Sequence, residues 1–399
     1  MSTPIVVTGL GFVSPLGTGT EPVWKSWSEG TSGVRMLSDE DSRNLRGVDP
    51  VERPPVGKAG FVSGFEPGAH ITSPHLRRMD WCSRMVVACA TQAVADARLS
   101  LEAESEQTRT ALVMGSALGN QRETEKYLTR VLRRGPKAGQ PFLFPNLVLN
   151  AAAGYAAIEL QIRGPNISVS EHEASGEVAI VTAVDLLRAG LCDRAIVGGV
   201  DEFGSLYLGA LQERRLLAPQ SLPPGSRIAS NRGTLIPGEG AAALVLEREP
   251  DARSRGQTPY ATISAARSGG LPAGPYAVPE AKAAAERLLE LLDQEEAPPM
   301  PISTILGGSS GPGPREELDR ALSDRIEAKQ ELVPELISIN ALVGNWGARG
   351  AFYAGLAALG CHRGQVPGSA PHAPQRILIP GSGRSGIVVA LAIDVNENS

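Results

Sequence analysis

Short apolar runs rich in β-forming residues alternate along this chain with long stretches whose apolar residues recur every three or four positions, and near Tyr260 the alternation begins again. PIVVTGLGF (4–12), TALVMGSAL (110–118), NISVS (166–170), RAIVGGVDEF (194–203) and AAALVLERE (241–249) read as strands. WCSRMVVACATQAVADARL (81–99), LVLNAAAGYAAIELQI (147–162) and EVAIVTAVDLLRAGL (177–191) read as helices between them. The second series runs ATISAARSG, AKAAAERLLELLDQE, PISTILGGSSG, ELISINALVGNWGARGAFYAGLAALG and RILIPGSGRSGIVVALAI. Strands with little polar alternation must be covered on both faces, so helices are expected on both sides of each sheet. The chain thus divides into two successive α/β halves, near 1–250 and 258–399, in a layered fold. Pro-rich stretches at 50–56, 217–226 and 293–301 read as surface loops or linkers.

With 399 residues and a charged fraction of 20%, the chain has the bulk and balance of a globular protein. A net charge of −5 and an aromatic content of 4% give no basic or stacking platform for nucleic acid. No window approaches the roughly 18 apolar residues of a membrane span, so no membrane partner is expected. Met1 leads into IVVTGLGF without a basic stretch, which is the pattern of a cytoplasmic protein rather than an exported one. Cys82, Cys89, Cys192 and Cys361 lie in apolar settings without metal-like spacing and read as buried free thiols.

Three motifs invite cofactor or metal chemistry, and each fails on its own residues. GLGFVSPLG (9–17) follows a strand as a dinucleotide loop does, but Ser14 stands at the third glycine and Pro15 interrupts the helix start. GGSSGPGP (307–314) lacks the Lys-Ser/Thr ending of a phosphate loop and reads as a turn. In an extended segment Glu171 and Glu173 share one face while His172 points to the other, so no metal site forms there. No cofactor and no metal are expected.

Six blocks, in order, resemble the β-ketoacyl-ACP synthase family of the thiolase fold: VVTGLGFVSPLGTGTEPVWKSWSEGTSGV, RRMDWCSRMVVACATQAVADA, GPNISVSEHEASGEVAI, PGEGAAALVLE, GNWGARGAFYA and GSGRSG. The resemblance covers nearly the whole chain and implies a duplicated five-layer αβαβα architecture. Its catalytic positions are altered. The family's nucleophilic cysteine falls on Glu173 by register from GPN to the following Ser-Gly. The loop His-Gly-Thr-Ser/Gly-Thr-x-x-x-Asp reads GGSSGPGPR here, with Gly307 at the histidine. The loop Gly-His-x-x-Gly-Ala-Ala-Gly reads GNWGARG, one residue shorter, with Asn345 at the second histidine, and the lysine five residues earlier is Asn340.

Condensation needs an acyl-carrying thiolate and two histidines to stabilise the enolate left by decarboxylation. A chain without them resembles the chain-length factors, the inactive subunits that pair with an active ketosynthase in type II polyketide synthases. That implies an obligate heterodimer acting on chains borne by an acyl carrier protein, with residues 141–204 forming much of the interface. Glu173 then reads as an anion accepting hydrogen bonds from the orphaned donors at the helix start. Two alternatives stay open: a decarboxylase or hydrolase that uses Glu173, and a purely structural homodimer. In the family the segment corresponding to PFLFPNLVLNAAAGY (141–155) enters the partner's acyl pocket. Leu143, Leu147 and Ala151 recur every four residues there and would line one face of a helix, although Pro145 interrupts it.

Overall fold

A computed structural model describes residues 3–38, 41, 57–217, 235–274, 277–295, 300–308, 314–370 and 373–396, the side chain of Ser385 apart. The Pro-rich stretches 50–56 and 218–226 lie outside the described residues, as do 296–299 of the third and 309–313 of the glycine-rich loop.

Along the main path of the large sheet, the strands of the first half are β1 (Ile5–Ser14), β2 (Thr110–Gly115), β3 (Asn166–Val169), β4 (Arg194–Asp201) and β5 (Gly240–Arg248). Those of the second are β6 (Ala261–Gly270), β7 (Ile302–Leu306), β8 (Glu335–Ile337), β9 (Arg376–Ser382) and β10 (Ile387–Asp394). Hydrogen bonding joins them in the order β8-β7-β9-β10-β6-β1-β5-β4-β2-β3. Read outward from the middle, the first half runs β1-β5-β4-β2-β3 and the second β6-β10-β9-β7-β8. In both, the two inner pairings are antiparallel and the two outer ones parallel. The same connectivity has been laid down twice. The halves meet where Ile5, Val6 and Val7 pair antiparallel with Ile263, Thr262 and Ala261.

The helices that matter here are α1 (Trp81–Asp96), α2 (Gln121–Arg134), α3 (Ala151–Glu159), α4 (Ser175–Arg188), α5 (Ala281–Asp293), α6 (Pro314–Gln330) and α7 (Gly350–Arg363). Alternate strand residues feed separate cores. Leu112 and Met114 face α1 and α3, whereas Ala111 and Val113 face a central layer. That layer contains α4 and α7, with Ile377, Ile379, Val389 and Leu391 closing it from the second half. On the far side α5 and α6 pack on Ile302, Ile305, Leu378 and Ala390. Helix, sheet, helix, sheet, helix is the five-layer αβαβα arrangement expected. α7 explains the middle layer, because every residue from Gly350 to Cys361 is buried and the helix is apolar all round.

The glycines of GLGF serve that packing. A side-chain carbon at Gly9 would lie 2.2 Å from the Ala93 carbonyl oxygen, and one at Gly11 would lie 2.0 Å from that of Cys89. They let α1 sit directly on β1, which is a different use of glycine from a phosphate loop. Two expectations shift. The helix read over 147–162 is confined to Ala151–Glu159, preceded by a 3-10 segment, Pro141–Leu147, bent 96° from it. Polar helices α2 and α6 occupy stretches with no assigned element. All four cysteines are buried free thiols. Among the described residues no single helix is long and apolar enough to cross a membrane.

Gly11→Ala is expected to destabilise the fold by about 1–3 kcal/mol or more through overpacking. Gly209→Ala, at a helical position with nothing within 4 Å, should gain about 0.5–1 kcal/mol. Urea unfolding of the two variants beside the parent checks both signs.

Candidate functional site

Asp201, the last residue of β4, is fully buried and collects the backbone of two loops. Its Oδ1 accepts the N–H groups of Ala117, Leu118 and Gly119 at 2.9, 2.7 and 3.3 Å, and the Ser116 hydroxyl at 3.0 Å. Its Oδ2 accepts the Ala348 N–H at 2.8 Å. Burial pushes its carboxyl pKa up, and these donors pull it back. The carboxylate ties the loop after β2 to the segment 344–349 ahead of α7. Between those segments and α4 lies a cavity of about 180 Å³, lined by Ala117, Leu118, His172, Glu173, Tyr207, Leu235, Asn345, Trp346, Gly347 and Arg384. Two of the altered positions, Glu173 and Asn345, therefore share one cavity.

Glu173 sits in a single 3-10 turn, His172–Ala174, that runs into α4. Its side chain is 33% exposed, and its Oε1 lies 3.0 Å from Arg384 Nε. Its Oε2 accepts the Arg384 N–H at 3.4 Å. The expected role as a cap on the helix start is corrected here. No side-chain cap bond forms at the start of α4; Ser175, its first residue, accepts the Glu171 N–H at 2.9 Å and donates to the His172 carbonyl at 2.7 Å, both ahead of the helix. The carboxylate turns instead to the closing Gly-Ser-Gly-Arg loop, because the nearest cation and a free N–H both lie there. His172 is exposed, in a left-handed conformation with φ of 50°. Among the described residues no group of three or more His, Cys, Asp and Glu side chains could hold a metal ion.

The other altered positions have been built over. A side-chain carbon at Gly307 would lie 2.4 Å from Asp319 Oδ2. At Gly308 the same atom would meet Arg349 Nη2 at 2.5 Å and Arg315 Nε at 3.1 Å. Asn340, fully buried, donates from Nδ2 to the Gly308 carbonyl at 2.5 Å and accepts the Tyr353 hydroxyl at 2.5 Å. Asn345 Oδ1 accepts from Arg349 Nη1, which also donates to the Trp346 carbonyl at 3.1 Å. Arg315 reaches the Ser382 hydroxyl at 3.2 Å and the Ser382 carbonyl at 3.1 Å. Glu177 lies in a slot where a side chain at Gly350 would come within 2.2 Å of its Oε2.

The result is a buried cluster of charged and polar groups around Gly307, Gly308 and Asn340. Burial pushes the Glu177 carboxyl up, and the attraction of Arg315 and Arg349 offsets part of that. Burial also pushes the Arg315 guanidinium down, helped by the like charge of Arg349. Tyr353 is pushed up to about 12, again by burial. None of these groups is a free thiolate, imidazole or amine available to substrate. The sequence carried partial signals for them: Arg315 ends a loop whose pattern ends in Asp, Arg349 replaces an alanine, and Glu177 is a charge inside an apolar helix. Asp201, Tyr207 and Trp346 carried none.

The gate residues Leu143, Leu147 and Ala151 do not line the Glu173 cavity. Leu143 and Leu147 belong to the 3-10 segment and Ala151 starts α3 beyond the bend, so the single helical face expected for them is not formed. Ala151 borders a separate crevice of about 10 Å³ with Cys82, Ser116 and Val200. Around it Phe142, Phe144, Val148, Leu149 and Ile158 are exposed, and Phe142 is 71% so. β3 is the edge strand beside this apolar surface.

A family model described as Beta-ketoacyl synthase, N-terminal domain, matches residues 2–252. The chain is 29% identical over 263 residues to the 3-oxoacyl-[acyl-carrier-protein] synthase 2 of Coxiella burnetii, covering 65% of this chain and 61% of that protein. It is 27% identical, over the same shares, to the enzyme of that name from Vibrio cholerae. The chain thus aligns with about three-fifths of the length of the curated relatives it matches. Among solved structures, the ishigamide ketosynthase/chain length factor superposes with a TM-score of 0.84 at 23% identity, covering 99% of this chain and 100% of that one. A ketosynthase complex with a type II PKS acyl-carrier protein gives 0.82 at 18% identity, over 99% and 100%. At these identities the two structures speak for the fold alone. Gly307, Asn340 and Asn345 lie beyond the matched family segment.

Asp201→Ala orphans several buried N–H groups at about 1–3 kcal/mol each and is expected to cost at least about 3 kcal/mol in denaturant unfolding. Glu173→Ala removes only a half-exposed ion pair and should cost less than about 1 kcal/mol.

Proposed function

The chain belongs to the β-ketoacyl synthase family, and from that premise we propose that it is a catalytically degenerate member, a chain-length factor. In this reading it pairs with an active ketosynthase, which condenses chains carried by an acyl carrier protein, and helps set how long they grow. The observation that carries the proposal is the Gly307 site. By the register of the resemblance this is the first histidine's position, and a side-chain carbon there would lie 2.4 Å from Asp319 Oδ2, which supports a site without that catalyst. Glu173, Asn340 and Asn345 support it, since each is engaged with Arg384, Tyr353 or Arg349.

An active decarboxylase or hydrolase using Glu173 is the second reading, favoured by the position of that carboxylate on a cavity wall. Its weakness is the Arg384 pair. A carboxylate held by a guanidinium is a poorer nucleophile and base than a free one.

The exposed Phe142, Phe144, Val148, Leu149 and Ile158 beside edge strand β3 support a partner on this face. The two proposed halves, 1–250 and 258–399, would share the central helical layer in that complex as they do in the single chain.

Co-expression with a cognate ketosynthase that retains Cys-His-His should raise soluble yield greatly and give a one-to-one complex. A stable soluble monomer at micromolar concentration in analytical ultracentrifugation would contradict it, and a homodimer indifferent to the ketosynthase would favour the structural alternative. Within the pair, Leu147→Trp should shorten acyl-carrier-bound products by several carbons and Leu147→Ala should lengthen them, as read by mass spectrometry. An unchanged length distribution in both variants, with assembly and rate intact, removes Leu147 from the gate.

A further inference from the structure

A second cavity, of about 550 Å³, lies at the opposite end of the first-half strands from Asp201. β4 runs from Arg194 to Asp201, a span of about 23 Å, and the register that pairs Arg194 with Glu247 puts both residues at this end. The turn after α1, the start of β4, the end of β5 and the segment 251–257 supply most of the wall. Arg98, Arg194, Arg248 and Arg255 line it together with Glu106, Asp193, Glu247 and Asp251.

The four arginines and four carboxylates do not close into four pairs. Arg248 is spent on Asp193 and Asp251, each at 2.8 Å, and Asp193 also takes Arg109 at 2.7 Å. Arg255 holds Glu247 through Nε at 3.0 Å and Nη2 at 2.5 Å. Only Glu106 remains for Arg98 and Arg194, and its Oε2 already accepts the Ser100 hydroxyl at 3.0 Å and the Ala103 N–H at 3.1 Å. Arg194 Nη1 stays 4.0 Å from Glu106 Oε1, beyond hydrogen-bond reach. Among the described residues the Arg194 guanidinium makes no hydrogen bond, although its side chain is only 20% exposed and its Nε is shielded from solvent. Arg98 is exposed, and its side chain likewise has no hydrogen bond or ion pair among the described residues.

A guanidinium offers five N–H donors, and burying most of them without an acceptor is costly. An oxyanion meets that need, in the forked geometry arginine prefers. A phosphate monoester, with three oxygens and a charge of about −1.5 to −2 at pH 7, serves two guanidiniums where a carboxylate's single charge serves one. Ser100, Ser254 and Gln257 give the remaining wall hydroxyl and amide groups, with Leu99 the apolar side chain among them. With a liquid water taking about 30 Å³, the cavity holds roughly 18 non-hydrogen atoms, enough for a phosphorylated sugar. We propose that this cavity binds a phosphate monoester of a small hydroxylated molecule, its phosphate on Arg194 and Arg98. The site is separate from the Glu173 cavity and does not depend on the chain-length reading.

Glucose 6-phosphate is the probe, titrated into the full-length chain at low ionic strength by isothermal calorimetry and phosphorus NMR. Glucose and gluconate serve as the uncharged and carboxylate controls. Saturable binding of the phosphate ester alone is expected, weakened by added salt, about tenfold by Arg194→Gln and several-fold by Arg98→Gln. Arg98 is exposed, so Arg98→Gln melts close to the parent and carries the test if Arg194→Gln does not fold. Glu106→Gln removes the competing charge and should tighten binding several-fold. Absence of saturable binding would overturn the proposal, as would affinity that neither arginine variant lowers. Equal binding of gluconate, or inorganic phosphate binding as tightly as the ester, would overturn it as well.

Discussion

One buried carboxylate organises the region where this family does its chemistry. Asp201 accepts hydrogen bonds from four consecutive residues after β2, Ser116 to Gly119, and from Ala348 ahead of α7. Those segments come from different halves of a duplicated fold, and they meet only because β4 ends between them. A carboxylate buried without a cation at hand is costly, and five donors converging on two oxygens are what make it tolerable. The cavity, the position of Trp346 and the entry into α7 all follow from that convergence.

Around this fixed frame lies a buried cluster of charged and polar side chains. Glycine at 307 admits the Asp319 carboxylate, and glycine at 350 admits Glu177. Arg315 and Arg349 enter the same interior, and Asn340 bridges Gly308 to Tyr353. Removing Arg315 or Arg349 would take away a cation that offsets the buried Glu177 carboxylate.

Much of the architecture was legible because it rests on long apolar periods. β1, β5 and β10 are continuous apolar runs, and α1 and α4 show helical spacing that the packing then uses. α2 was not legible, since Glu125 is its only buried residue and its leucines point outward. α6 does carry a signal, Leu318, Leu322 and Ile326 at four-residue spacing, but it is sparse among charges. The helix read over 147–162 starts only at Ala151, because the 3-10 segment with Pro145 ends at Leu147 and residues 148–150 form the bend between them. At the site, sequence register placed Glu173 beside the cavity but not its orientation. Which way a half-exposed carboxylate turns depends on Arg384, more than two hundred residues on in the chain, and no local pattern encodes that.

The central claim is that this chain holds a ketosynthase fold without ketosynthase chemistry. Intact-protein mass spectrometry of the purified chain alone, incubated with acyl and malonyl groups on an acyl carrier protein, tests it most directly when carbon dioxide release is followed in the same tubes. The account predicts an unmodified protein mass and no carbon dioxide above the protein-free control. A covalent acyl adduct, or decarboxylation that disappears in Glu173→Gln, would contradict it.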